Sequence, residues 1–467
     1  MSEPLWTAEE LVRATGGRVV GEAVPATGVS FDSRSIETGD LFVALEGVRD
    51  GHEFVAGAFE KGAACALVSR PLEGAGPQIV VGDTLKGLED LAVFARMRAP
   101  AKRAAVTGSV GKTSTTQAIY AGLLLAGHAH GSIKSFNNHI GVPLTVARMP
   151  RETKRAVFEI GMNHADEIRP LSKVVRPHVA LINNVGPVHV ENFPDGEHGV
   201  ARAKAEIFEG LEPGGVAVLN ADGRWFEFLR GEAERLGVRV VSFGTGAEAD
   251  GRLLQFDAEE ARAQVRVVLH GRALDFTLLQ TGLHWGLNSL AVLLVLEGLG
   301  VPVETGVEAL SAFEPLAGRG AEKVVAMGGG AFRLIDESYN ANPISMRAAL
   351  ATLGRRPVHP PGRRIVALTD MLELGGEAEA FHASLAEPIE EAGISQVFLA
   401  GPLMKALWDS LPAARQGAYA SSAAELAPQL VEAVRPGDVV MVKGSNGSKA
   451  STLAAALAQA PAPRETA

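Results

Sequence analysis

The eight residues Thr107-Gly108-Ser109-Val110-Gly111-Lys112-Thr113-Ser114 constrain this chain more than any other stretch. Gly108 and Gly111 let the backbone turn tightly and bring its N–H groups close to phosphate oxygens. Lys112 supplies a point charge for the outer phosphates, and Thr113 offers a hydroxyl to a magnesium ion. The apolar run Ala104-Ala105-Val106 reads as a strand entering the loop, and the spacing predicts a helix over 113–125 with Gly127 as its stop. A helix that starts at the loop aims the positive end of its dipole at the anion. Val106 stands where the common phosphate loop has a glycine, six positions before the lysine. A plain Gly/Ser turn with a surface lysine would not need hydroxyls directly after that lysine. The motif therefore predicts a phosphate cradle for ATP or GTP, and it leaves open what is done with the nucleotide.

A chain of 467 residues is long for one core, and about 150 residues per domain suggests three. Two Pro/Gly-bearing seams divide it, one around Met97-Arg98-Ala99-Pro100 and one around Phe313-Glu314-Pro315-Leu316-Ala317-Gly318. The expected domains are residues 1–98, 99–313 and 314–467. In the first, short alternating runs over 40–45 and 64–68 suggest a small α/β module. In the second, apolar strands over 156–160, 179–182 and 216–219 alternate with helical stretches, which argues for a mostly parallel sheet with helices on both faces. The third repeats the arrangement over 364–368, 396–400 and 439–442. The expected fold is α/β throughout: a small N-terminal module, a central P-loop ATPase domain and a C-terminal Rossmann-like domain. The tail over 460–467 is expected to be disordered.

Net charge is −10, and no basic block tracks a nucleic-acid backbone. The pairs Arg355-Arg356 and Arg363-Arg364 flank a Pro-rich segment and read as a solvated loop. Cys65, the single cysteine, sits in an apolar strand, so neither a disulfide nor a zinc cluster is expected. With acid instead of base and no apolar core in residues 1–6, no signal peptide is expected. The longest apolar run, 290–296, falls far short of the ~20 residues that a membrane helix needs. A cytoplasmic monomer without membrane insertion is expected.

In open α/β sheets ligands sit at the C-terminal ends of strands. Glu159 lies within an apolar strand and precedes Gly161-Met162-Asn163. A carboxylate there needs a cation, and a magnesium ion beside the cradle would supply one. His189 follows a strand end and a turn, where a histidine is structural more often than it is a ligand. Lys204, in Ala203-Lys204-Ala205-Glu206, reads by itself as a surface lysine. Asp336-Glu337-Ser338-Tyr339-Asn340-Ala341-Asn342 closes a strand with six hydrogen-bonding side chains in seven residues, and Pro343 then suits a helix start. Asp370-Met371-Leu372-Glu373-Leu374-Gly375 repeats that arrangement.

In this order, the segments resemble the Mur ligase family over nearly the whole chain. Asp32-Ser33-Arg34, with Ser30 before it, then residues 39–45 and Asp50-Gly51-His52 look like the domain that holds the uridine-diphosphate end of the substrate. Residues 107–114 are similar to the family's ATP loop. The resemblance implies magnesium ligation by Thr113, Glu159 and His189. It also implies that Lys204 is carbamylated, turning a cation into an anion able to ligate a second magnesium. Residues 135–143, 338–343 and 370–375 resemble the branch that adds D-alanyl-D-alanine to UDP-N-acetylmuramoyl-tripeptide; the Asp-Asn-Pro-Arg signature of the preceding ligase is absent. Substrate contacts are thereby implied for Asn137, Asn138, Tyr339, Asn340 and Asn342, and nucleotide contacts for His284, Asn288, Arg319 and Asp336. Trp285 stands where the family pattern near the adenine has an asparagine. The reaction implied is attack of a substrate carboxylate on the γ-phosphate of ATP, followed by attack of the amine on the acyl phosphate. Other Mur-type ligases and folylpolyglutamate synthetase are the nearest alternatives, and a P-loop switch that makes no bond is the more distant one.

Overall fold

A computed structural model describes residues 4–132, 135–259 and 261–459; the tail expectation for 460–467 lies outside the described residues. Three sheets form. The first has the strand order Arg18–Val20, Gln78–Val80, Cys65–Val68, Asp40–Val43, Gly28–Ser30, parallel except for its first pair. Cys65 is buried in it, as its apolar neighbours imply.

The second sheet has nine strands. The cradle strand Lys102–Thr107 runs between Arg155–Glu159 and Val179–Ile182, parallel to both. Val106 pairs with Glu159 and Thr107 with Ile182, so the loops leaving all three strands emerge at one level. That convergence is where an open parallel sheet holds its ligand. The sheet is mostly parallel as expected, and at its far edge Gly251–Ala258, Ala263–Leu269 and Arg272–Leu278 form an antiparallel meander. Ala263, Val265, Val267 and Leu269 are buried at period two, one face on the core and one on solvent.

The third sheet opens with the antiparallel pair Ala321–Met327 and Gly330–Glu337. It continues in parallel through Val439–Lys443, Arg364–Thr369, Gln396–Ala400 and Gln416–Ala420. An apolar cluster covers each of its faces.

The two seams differ physically. At the first, helix Thr84–Arg98 continues through Met97 and Arg98, and Ala99 and Ala101 are buried in an apolar cluster that contains both Trp6 and Phe158. This connection is packed core and not a free linker. Trp6 is fully buried; it donates from Nε1 to the Ala147 carbonyl at 3.1 Å and lies 3.8 Å beneath the Arg98 guanidinium. Trp6→Ala is expected to cost about 3–5 kcal/mol in chemical denaturation; a loss below 1 kcal/mol would mean that this packing is dispensable.

Of the basic pairs near the Pro-rich segment only Arg355 is exposed as expected, and the others are held by the fold. Arg356 is 5% exposed and bonds the Glu322 carboxylate and the Thr281 hydroxyl, while Arg363 pairs with Asp438 at 2.7 Å. Guanidinium groups bury where carboxylates from distant strands meet them. No helix of the described residues is long and apolar enough to cross a membrane.

Candidate active site

The cradle forms because Gly111 adopts φ +79°, and a Cβ there would stand 2.9 Å from Asn183 Nδ2. Glycine alone meets both conditions. Helix Lys112–Leu125 starts at once, so its free N–H groups face the loop. Asn183 and Asn184, directly after the strand Val179–Ile182, hold the loop from below. Asn184 accepts from Val110 N at 2.8 Å and donates to Val110 O at 2.9 Å; Asn183 donates to Asn288 Oδ1 at 3.1 Å. These supports were not among the residues singled out from sequence, although a polar pair closing an apolar strand was the available signal. Lys112 Nζ donates to Gly108 O at 2.8 Å. Burial lowers the Lys112 pKa, Glu159 opposes the shift and Arg319 adds to it.

Glu159 is 1% exposed, with Oε1 accepting from Asn137 Nδ2 at 2.6 Å. Its Oε2 is buried without a hydrogen-bond partner. An orphan carboxylate oxygen on the same cavity wall as Lys112 and Thr113 suits a cation. His189 sits in left-handed backbone, φ +60°, and its pKa is pushed down to about 4 by burial first and then by Lys112 and Lys204. Its imidazole is therefore neutral near neutral pH and has a lone pair to offer.

Lys204 departs from its surface reading. It lies in helix Glu197–Ala205, whose small residues Gly199, Ala201, Ala203 and Ala205 are buried with it, and it is 3% exposed. Among the described residues it makes no hydrogen bond or ion pair. Burial, and then the charge of Lys112, lowers its pKa well below the ordinary lysine value. The alternating sequence hid this because the helix is enclosed by tertiary neighbours and not by its own periodicity.

A cavity of about 870 Å³ opens between the cradle and the C-terminal domain. Residues 109–114, Asn137, Glu159, His189, His284, Asn288, Arg319, Tyr339, Asn340 and Asn342 line it. Arg319 closes it from the second seam: Nη2 donates to Thr113 Oγ1 at 3.1 Å, and the guanidinium lies 4.0 Å from the Tyr339 ring centroid. The Tyr339 hydroxyl is hydrogen-bonded to Ser135 Oγ. The His284 ring is accessible from the cavity, yet protein surrounds it and lowers its pKa. Trp285 is buried against Phe313, ring centroids 5.8 Å apart, and gives the cavity a stretch of apolar wall where an amide would offer hydrogen bonds.

Other expected residues do different work or lie elsewhere. Thr107 and Gly108 sit behind the cradle. Asn342 lines the cavity but also caps helix Pro343–Gly354, accepting from Ser345 N at 2.9 Å. Asn138 caps the neighbouring helix, accepting from Gly141 N at 2.8 Å, and is not on the wall. The Asp336 carboxylate accepts from Ser338 N at 3.0 Å within its own turn, and Glu337, one residue on, is the acid that lines the cavity. Strand alternation sends the two side chains to opposite faces. Glu337 is paired with Lys443 at 3.2 Å. Ser30, Asp32, Ser33 and Arg34 lie at the C-terminal end of the first sheet's edge strand, outside this cavity. Asp32 is held by Arg34 at 2.8 Å, which lowers its pKa to about 2, and Phe31 meets Phe136 at 6.3 Å, beside Asn137.

Three family models match between residues 25 and 446. The Mur ligase family catalytic domain matches residues 25–94, the Mur ligase middle domain 106–296, and the Mur ligase glutamate ligase domain 322–446. A protein of Rickettsia prowazekii named UDP-N-acetylmuramoyl-tripeptide–D-alanyl-D-alanine ligase is 31% identical over 448 residues, 95% of this chain and 98% of its own. The protein of the same name from Escherichia coli is 34% identical over 406 residues, 85% of this chain and 86% of its own. The crystal structure of MurF from Acinetobacter baumannii superposes with a TM-score of 0.86 at 30% identity, covering 98% of this chain and 100% of that one. With the cradle, Glu159, His189 and the closing third domain gathered around one cavity, and with relatives that match it nearly end to end, this chain belongs to the Mur ligase family.

Proposed function

We propose that this protein joins the amine of D-alanyl-D-alanine to the terminal carboxylate of UDP-N-acetylmuramoyl-tripeptide, splitting ATP into ADP and phosphate, as a step in building the cell-wall precursor. The observation that carries the reading is the meeting of Lys112, Glu159, His189 and Arg319 on one cavity whose far wall belongs to the C-terminal domain. The reaction consumes ATP and a nucleotide sugar, which makes the cytoplasm its compartment, and one copy of the chain supplies every group invoked.

Two anions must approach for the first step, so cations must neutralise both. Lys112 leaves the Gly108 carbonyl and turns to the outer phosphates, while the N-terminus of helix Lys112–Leu125 faces them. Arg319, already on Thr113, reaches the same oxygens from the seam. A carboxylate oxygen of the tripeptide then bonds to the γ-phosphorus, the bond to the β-γ bridging oxygen breaks, and ADP leaves an acyl phosphate. Asn137, tied to Glu159 and lining the cavity, is placed to orient the tripeptide end. The uncharged amine of the dipeptide next bonds to the acyl carbon, phosphate departs, and the amine nitrogen gives up its proton. Tyr339 and Arg319 cover the cavity from the C-terminal side and limit hydrolysis of the acyl phosphate by water.

Thr113, Glu159 Oε2 and His189 would hold a magnesium ion, and the carbamate of Lys204 a second. No group of three His, Cys, Asp or Glu side chains that could hold a metal stands among the described residues, so phosphate oxygens must complete the set. Bound there, magnesium neutralises charge on the phosphates in flight. Lys204 suits carbamylation because burial and Lys112 favour the neutral form of its partnerless amine, which adds to carbon dioxide, forming an N–C bond and releasing one proton.

Phosphate release tests the reaction. It is expected only when ATP, UDP-N-acetylmuramoyl-tripeptide and D-alanyl-D-alanine are all present. Steady release with ATP alone, unchanged by either substrate, would sink the ligase reading.

A further inference from the structure

The described residues include six non-glycine positions in left-handed backbone, and two of them face each other across the second seam. His189, φ +60°, belongs to the central domain. Glu373, φ +63°, belongs to the C-terminal domain, and its Oε2 lies 3.0 Å from His189 Nδ1. Left-handed backbone at a residue other than glycine costs free energy, and where two such residues meet, the cost points to a constrained site.

The loop that presents Glu373 is anchored from three sides. The Asp370 carboxylate accepts from Met404 N at 3.0 Å, the buried His382 accepts from Met371 N at 2.9 Å, and Ser445 Oγ accepts from Leu372 N at 3.0 Å. Met371 and Leu374 are buried on either side, while Glu373 itself is 61% exposed. Past it, Gly375 adopts φ +61° and lies against Glu191, so a side chain there would strike the segment that carries His189. The loop is thus rigid within its own domain and projects one carboxylate toward the other. His189 supplies the complementary need: its Nδ1 is buried and has no aligned hydrogen-bond partner, the 3.0 Å approach of Glu373 being close in distance but off the line of a hydrogen bond.

We propose that Glu373 is a positioning residue for His189: as the C-terminal domain seats fully over the cavity, its carboxylate accepts the Nδ1–H and turns Nε2 toward the metal beside Glu159. A carboxylate behind a ligating histidine fixes the tautomer and the ring orientation, and losing such a partner typically costs 10–100-fold in metal affinity. Because the carboxylate arrives from the other domain, the histidine is correctly aimed only in the closed molecule. Closure and completion of the metal site become one event, and an acyl phosphate does not form while the cavity is open to water.

This inference rests on the reading of His189 as a metal ligand, and the test separates the two. Manganese binding is measured by water-proton relaxation with the full-length protein, a non-hydrolysable ATP analogue and UDP-N-acetylmuramoyl-tripeptide present. Glu373→Gln, an exposed isosteric change whose folding is checked by its melting curve, is expected to weaken manganese affinity on the order of tenfold. His189→Ala is expected to weaken it at least as much, and the double variant no further than His189→Ala alone. If His189→Ala weakens binding and Glu373→Gln does not, the positioning role is wrong and the ligand reading stands. If His189→Ala leaves binding unchanged, the ligand reading fails and the positioning role fails with it.

Discussion

Lys112→Ala is expected to lower turnover on the order of 10²–10³, the loss that follows removal of one preorganised charge-stabilising donor. Among the described residues the side chain makes a single hydrogen bond, to the carbonyl of Gly108. Its removal therefore leaves the cradle glycines, the Asn183–Asn184 support and the helix start in place, and the melting temperature should scarcely move. Most of the loss should fall on the maximal rate, because the lysine neutralises charge that is greatest as the phosphoryl group transfers. Single-turnover measurement of ADP formation checks this directly. Near-normal ATP-dependent ligation by the variant would end the cradle reading.

A comparable loss, on the order of 10², is expected for Lys204→Ala, but with a different signature. The amine is buried, has no partner and sits close enough to Lys112 for that charge to lower its pKa. Left as an ammonium it would be an uncompensated buried cation beside another. As a carbamate it becomes an anion between cations, and the arrangement makes electrostatic sense. If so, a small carboxylate such as acetate should enter the space vacated in Lys204→Ala and restore part of the turnover. Carbon NMR of the unmodified protein in isotope-labelled bicarbonate should show a carbamate resonance that the variant lacks. Turnover lost without recovery in acetate, together with no carbamate signal, would assign Lys204 a packing role only.

Local chemistry was readable before any coordinates, and chemistry assembled from afar was not. The cradle, its strand and its helix stand within residues 102–125 as expected, because glycine dihedrals, a lysine and a helix start all act over a few residues. Glu159 was conspicuous for a related reason, a charge inside an apolar strand. Lys204 was opaque, since nothing in Ala203-Lys204-Ala205 reports that the helix is enclosed. Arg356 misled in the same way: its burial depends on Glu322 and Thr281, which only the fold brings to it. The antiparallel meander over 251–278 ends a sheet that is otherwise parallel, in keeping with the mostly parallel sheet expected. Its period-two pattern stands in Ala263, Val265, Val267 and Leu269, which are buried while their neighbours face solvent.

The unlike character of the two seams makes the molecule divisible at one place and not at the other. Severed near Pro100, the N-terminal module would carry away Trp6 and Leu91 from a cluster it shares with Phe158, leaving raw apolar surface on both pieces. Severed near Pro315, each half would keep its oil to itself, because the clusters beyond that point draw on no residue before it. What joins the halves there is largely a handful of polar contacts, among them Arg319 to Thr113 and Tyr339 to Ser135. The chain is thus divisible at its second seam, where each side keeps its own apolar cluster, and not at its first, where one cluster is shared.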